Sequence, residues 1–199
     1  MTYSLLTALA AFAFVSSITP GPNNLMLMTS GANYGFLRSV PHMLGVAVGF
    51  TVMIVIVGLG LMQLFERFPL AHQVLTWVSV AYLLWLSWKI ATAKMPDTRA
   101  HSGRPMSFLQ AALFQWVNPK AWAFGLSIIT IYVPVAGFAP LLLAAIVVAV
   151  MAFPSVTLWT VMGGQMSRFL TNPRRLRAFN ITMAILLLGS LIPVLWPAG

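Results

Sequence analysis

Six apolar stretches, each close to twenty residues or longer, occupy most of the chain and leave little that could face water. Between polar punctuation they run Ser4–Ser30, Pro41–Phe65, Leu70–Ala91, Phe108–Val133, Phe138–Gly163 and Ala178–Leu195. An α-helix crosses a hydrocarbon core of roughly 30 Å with about 20 such residues. Charged residues make up 7% of the 199, where a soluble domain carries roughly 25%. Ordinary cytosolic enzymes and secreted domains are excluded. The predicted class is an all-α integral membrane protein with six transmembrane helices. The first stretch has no basic n-region and continues into Asn23 and Asn24, so it is read as a retained span rather than a cleaved leader.

The chain carries 11 Lys and Arg against 2 acids, for a formal charge of +9. Basic residues are held on the cytoplasmic side of a membrane. Arg38 falls in the first connection. Lys89, Lys94, Arg99 and Arg104 flank or occupy the third, and Arg168, Arg174, Arg175 and Arg177 the fifth. The second connection has only Arg67, beside Glu66, and the fourth has no charge. This asymmetry predicts odd-numbered connections inside and both termini outside the cytoplasm. It also accounts for the basic cluster at Arg174–Arg177 as a topology and headgroup signal, so no nucleic acid is expected. The absence of cysteine removes disulfides and thiolate metal sites.

The polar stretch Lys94–Met106 divides the chain into a first three-span repeat (residues 1–93) and a second (107–199), which together form a single membrane domain. An odd number of spans in each half makes the halves enter the membrane from opposite sides. Pro22 pairs with Pro119 and Pro41 with Pro140 at nearly equal separations. The first pair interrupts the leading span of each half, and the second opens the next. The expectation is two inverted three-helix repeats with broken first and fourth helices, a plan that holds substrate where the helices break.

Thr19-Pro20-Gly21-Pro22-Asn23-Asn24 cannot continue an α-helix, because Pro20 and Pro22 lack amide hydrogens and clash with carbonyls one turn earlier. Carbonyls freed in lipid need partners. Asn23 and Asn24 offer a cap for the following segment, whose positive end suits a carboxylate. The alternative is a proline kink that only shapes packing. In the second half, Pro119 breaks the helix, Asn118 can cap the next helical segment and Lys120 adds a cation. Lys120 stands about a dozen residues into its span, or about 18 Å at 1.5 Å per residue. A lysine at the bilayer centre costs about 2.5–3.5 kcal/mol on insertion scales. With both acids, Glu66 and Asp97, in connections, Lys120 must use freed carbonyls, Asn side chains or a bound anion, lose its proton, or snorkel to the interface.

These two motifs resemble the LysE/RhtB family of bacterial amino-acid exporters. Gly45-Val-Ala-Val-Gly-Phe50 and Ala81-Tyr-Leu-Leu-Trp-Leu-Ser-Trp-Lys89 are similar to the family's second and third spans, and Ala81–Ala93 looks most like its cysteine/O-acetylserine exporter type. The resemblance covers essentially the whole chain. It implies export of small amino acids or derivatives across the bacterial inner membrane, powered by an ion gradient. Carried onto this sequence, the matching positions are Pro20, Gly21, Pro22, Asn23, Asn24, Asn118, Pro119 and Lys120.

A zwitterionic amino acid brings a carboxylate for Asn23, Asn24 and Lys120. Its ammonium would suit freed carbonyls around Thr19–Gly21 and Val117–Asn118. No span offers a carboxylate to balance a second cation, so the expected substrate is small and neutral. No phosphate-binding loop occurs, which leaves proton antiport as the expected energy source, with no cofactor. Lys120 is the candidate coupling residue, since no span holds a carboxylate that could carry the proton instead. Tyr82 could reach the cavity with its hydroxyl. His42, beside Pro41, could line the path, but with His72 and His101 it is too scattered for a metal site. The tryptophans read as packing groups or interface anchors, the methionines as apolar filler, and Pro154 as a hinge. Gly45 and Gly49 permit close helix contact, within the chain or in a homodimer. A membrane-embedded enzyme would need paired acids, a Ser/His constellation or a metal cluster, and none is visible. A cation or metal efflux protein of the same architecture would need carboxylates or thiolates. A non-transporting membrane subunit would show no flux. In an efflux assay across cysteine, serine, threonine, homoserine and arginine, arginine should be the poorest substrate; a preference for arginine would overturn the charge argument.

Overall fold

In the computed structural model all regular structure among the described residues, which are 1–61, 69–92, 104–133, 138–167 and 172–189, is helical. The α-helices are α1 (Tyr3–Ile18), α2 (Pro22–Tyr34), α3 (Phe36–Ile56), α4 (Pro69–Ala91), α5 (Phe108–Phe114), α6 (Pro119–Ser127), α7 (Phe138–Ser167) and α8 (Pro173–Gly189). Wider π turns, Val57–Leu61 and Ile128–Tyr132, extend α3 and α6, and a 3₁₀ turn, Gln115–Val117, extends α5. Local chemistry accounts for many of the boundaries. Pro22, Pro119 and Pro173 each open a helix, where a missing N–H costs nothing and φ is already set. Thr2 caps α1 through its hydroxyl, and Ser107 with Gln110 forms a reciprocal capping box on α5. Gly35, at φ 80°, separates α2 from α3 by a single residue. A side chain would resist that backbone angle.

Helix α3 with most of its π turn (Phe36–Gly60) and α7 (Phe138–Met166) are each long and apolar enough to cross a bilayer. The pair α1–α2 qualifies together, bent by 54° at its break. Val80–Ala91 and Phe108–Val117 are shorter apolar helices. Exposed side chains are as apolar as buried ones: Val48, Val52 and Ile56 line one outer face of α3, and Leu142, Ile146 and Val150 one of α7. A helix hydrophobic all round belongs in lipid or in a core.

Several boundaries differ from expectation. Helix α3 starts at Phe36, so Pro41 lies inside it rather than opening a span, and Arg38 is helical rather than in a connection. The reason is Gly35, which turns the chain within one residue. Helix α7 runs past Gly163 to Ser167, and α8 begins at Pro173 rather than Ala178. Pro154 is accommodated within α7, which continues through it. Of the expected linker 94–106, only Arg104–Met106 is described. Glu66, Arg67, Lys94, Asp97, Arg99, His101, Arg168, Trp196, the fourth connection and residues 190–195 lie outside the described residues, as does the side chain of His72.

Small residues set the closest packing. Helix α2 lies along α7, with Gly31 against Thr160 and Gly164, and Gly163 against Met28 and Ala32. A Cβ on Gly31 would collide with the Thr160 carbonyl, and one on Gly163 with the Met28 carbonyl. Gly45 and Gly49 are used within the chain, against Phe108, Ala111 and Ala112 on α5. One apolar core joins α1, α3, α6 and α7 around Leu9, Met53, Ile54, Ile128 and Val148. Another joins α2, α4, α5 and α8 around Leu25, Leu83, Phe114, Met183 and Leu187. Gly163→Ala should push α2 and α7 apart and cost about 1–3 kcal/mol, read as a lower thermal midpoint of the detergent-purified protein; an unchanged midpoint would contradict this packing.

Candidate functional site

The break between α1 and α2 and the break between α5 and α6 face each other. At the first, α1 ends at Ile18, Gly21 precedes α2 in extended conformation, and the helix axis bends. At the second, Asn118 is extended and its Oδ1 accepts from the Lys120 amide at 3.2 Å, capping α6 as its sequence suggested. Two contacts tie the breaks together. Lys120 Nζ donates to Thr19 O at 2.8 Å, to Thr19 Oγ1 at 2.7 Å and toward Pro20 O at 3.3 Å. Asn23 and Gln115 exchange amide hydrogen bonds at 2.8 and 3.1 Å.

The C-terminal carbonyls of α1, which the prolines free, all find donors. Ser16 O accepts from Thr19 Oγ1 at 2.9 Å. Ser17 O accepts from Asn24 Nδ2 at 2.6 Å and from Ser155 Oγ at 2.7 Å. Ile18 O accepts from Trp159 Nε1 at 3.1 Å, and Thr19 O takes a second bond from Asn24 Nδ2 at 2.8 Å. A buried unsatisfied carbonyl costs about 1–3 kcal/mol, and the part-buried Ser17 and Ile18 carbonyls avoid that cost through Asn24, Ser155 and Trp159. The Lys120 ammonium is spent on oxygens of Thr19 and Pro20 at the first break.

This accounting corrects one expectation. Asn23 and Asn24 do not cap α2, whose N-cap is Gly21 with no side-chain hydrogen bond. Asn24 reaches back to α1, and Asn23 reaches across to α5. The Thr19 carbonyl is held by Lys120 and Asn24. Of the remaining expected residues, Thr19 and Pro20 supply the acceptors, and Pro22 and Pro119 open α2 and α6. Tyr82 lies elsewhere, tilted against Trp85 and Phe114 at a different cavity.

A cavity of about 50 Å³ sits beside the two breaks, lined on its polar side by Ser16, Ser17, Gly21, Asn23, Asn24, Asn118 and Lys120. That volume holds a few waters. Its apolar side includes Phe50 and Phe124, whose rings stack at 5.0 Å. Gly21 makes room for the lysine: a Cβ there would stand 2.6 Å from Lys120 Cδ. Sequence reasoning missed Ser155, Trp159 and Gln115 as supports of the break. Ser155 and Gln115 are almost fully buried; the available signal was polar side chains inside otherwise apolar helices, which lipid tolerates only with partners. Among the described residues no group of three metal-ligating side chains occurs.

The sequence pattern of the LysE type translocator family matches residues 14–192. The cysteine/O-acetylserine efflux protein of Klebsiella pneumoniae is 35% identical over 136 residues, covering 67% of this chain and 67% of that one. The proteins of the same description from Salmonella typhimurium and Escherichia coli K12 are 32% and 31% identical over 133 residues, covering 67% of this chain and 68% of theirs. No solved structure matches the chain.

Gly21→Ala should displace the Lys120 side chain, costing about 1–3 kcal/mol as its bonds to Thr19 and Pro20 break. In a double-mutant cycle that cost should vanish once Lys120→Ala is present. An equal cost in both backgrounds, measured by thermal unfolding, would show that Gly21 is not there for the lysine.

Proposed function

The chain belongs to the LysE type translocator family, whose members are membrane transporters and not enzymes, and on that premise we propose that it is a secondary active exporter of small neutral amino acids or their derivatives. The proposed setting is the bacterial inner membrane. Both termini are periplasmic, and six spans form two inverted three-helix repeats that alternate access to a site at their broken helices. The efflux proteins it is similar to are described as exporting cysteine and O-acetylserine, and we assign this chain a substrate of that size and charge. The apolar side of the small cavity, Phe50 and Phe124 included, suits a short uncharged side chain.

The observation that carries the reading is the Lys120 ammonium seated on Thr19 O, Thr19 Oγ1 and Pro20 O. A substrate's own ammonium is the same donor and fits the same acceptors, so the two compete. In the proposed cycle Lys120 gives up its proton on the cytoplasmic side and releases the acceptors. The substrate's ammonium takes them, and its carboxylate turns to the N-terminus of α2, which no side chain caps. On the outer side a proton returns to Lys120, which recovers the acceptors and expels the substrate. One proton enters as one neutral substrate leaves. A charge crossing 100 mV supplies about 2.3 kcal/mol, more than the roughly 1.4 kcal/mol of a tenfold gradient.

In proteoliposomes loaded with labelled cysteine, serine, threonine or homoserine, Lys120→Gln should cut proton-driven efflux by about tenfold or more, or about 1.4 kcal/mol. Lys120→Arg keeps the cation but never releases its proton, and should also lose uphill transport. Normal driven efflux in either variant overturns the coupling role. No flux of any of these amino acids through the unaltered protein overturns the exporter reading.

A further inference from the structure

A second cavity, of about 550 Å³, opens between α2, α3, α4 and the segment leading into α5. It is an order of magnitude larger than the one at the breaks and shares none of its lining residues. Its mouth is basic: Lys89 and Arg104 both line it and are exposed, and Lys89 Nζ is held 4.5 Å over the ring of Trp85, another lining residue. No described residue of the chain is acidic. Deeper in, His42 is 1% exposed, lines the cavity, and has neither ring nitrogen hydrogen-bonded among the described residues. Asn33 spends its Nδ2 on Thr29 O at 2.7 Å and leaves its buried Oδ1 without a partner.

Buried polar atoms without partners are uncommon in finished packing. Here three of them belong to side chains that line one cavity behind a cationic rim. From this arrangement we propose that the larger cavity is a receiving site for a small zwitterionic amino acid. Its carboxylate is met by Lys89 and Arg104, and its ammonium and side chain by Asn33 and His42. The location fits an access route. His42 stands one turn along α3 from Val46, which lines the cavity at the breaks. The basic mouth is on the side that the charge asymmetry assigns to the cytoplasm, where an exporter takes up its cargo. In the described conformation the larger cavity is wide and the one at the breaks narrow, so a substrate is received before the broken helices part. The inference rests on the exporter reading for its direction, but not for the ligand chemistry.

The chain has no cysteine, so Tyr34→Cys places one thiol on the cavity wall of the full-length protein in phosphatidylcholine vesicles. The measurement is the rate at which anionic sulfonatoethyl methanethiosulfonate modifies it, with and without saturating L-serine, L-threonine or L-homoserine. At least one of these should slow modification by about threefold or more, as occupancy of the site requires. The methyl ester of that amino acid, lacking the carboxylate, should not protect. Adding Lys89→Gln and Arg104→Gln should remove the protection. Met106→Cys, on the same wall, gives the reading if Tyr34→Cys does not fold. Equal protection by acid and ester overturns the site, and so does protection by none of the panel while labelled amino acids still flow through the unaltered protein; the latter result leaves the exporter reading intact. Protection by added phosphatidylglycerol alone assigns the rim to lipid and also overturns the proposal. Protection by the amino acid without any flux supports the site and counts against the exporter reading instead.

Discussion

A helix broken inside an apolar slab leaves carbonyl oxygens that neither water nor lipid can satisfy. Here Lys120, Asn24, Ser155 and Trp159 converge on the end of α1 to do so. The donors come from α2, α6 and α7, so the break is not a local defect. It is the point at which those helices are fixed to α1. A lysine in this position would be costly alone. On Thr19 and Pro20 it offsets that cost by donating to three oxygens at the break, and each irregularity stabilises the other.

The remaining packing keeps that junction tight. Gly21 leaves space for the lysine stem, and the glycines of α2 and α7 let those backbones approach until Ser155 and Trp159 reach the α1 carbonyls. Because Asn23 and Gln115 also join the two breaks, a change at one is felt at the other. The result is a polar seam whose hydrogen bonds run between the two breaks. The aromatic pair Phe50 and Phe124 lines the apolar side of the small volume beside the seam.

Much of this was legible along the chain. Pro20, Pro22 and Pro119 announce the breaks, because a residue without an N–H in lipid is a defect that must be answered nearby. Asn118 announces its cap and Lys120 its need for an oxygen partner. Other features were not. Asn23 and Asn24 read as caps, yet their amides are drawn to acceptors seven residues back and ninety-two residues on. Tyr82 read as a cavity residue of the breaks and belongs to another cavity. Ser155 and Gln115 were marked only as polar residues inside apolar helices, and Trp159 not at all, so nothing along the chain named their partners.

The sequence by itself determined the apolar medium, the helical class, the positions where helices cannot continue and the one cation that must live among them. These follow from single residues and their hydration, which need no knowledge of neighbours. Only the tertiary structure decided which donor meets which carbonyl, that the lysine lies across Thr19 and Pro20, and that a wide, basic-mouthed cavity stands apart from the narrow one. Those outcomes depend on distances between segments remote in sequence, and helix packing, set here by where glycine lets backbones touch, is what fixes them.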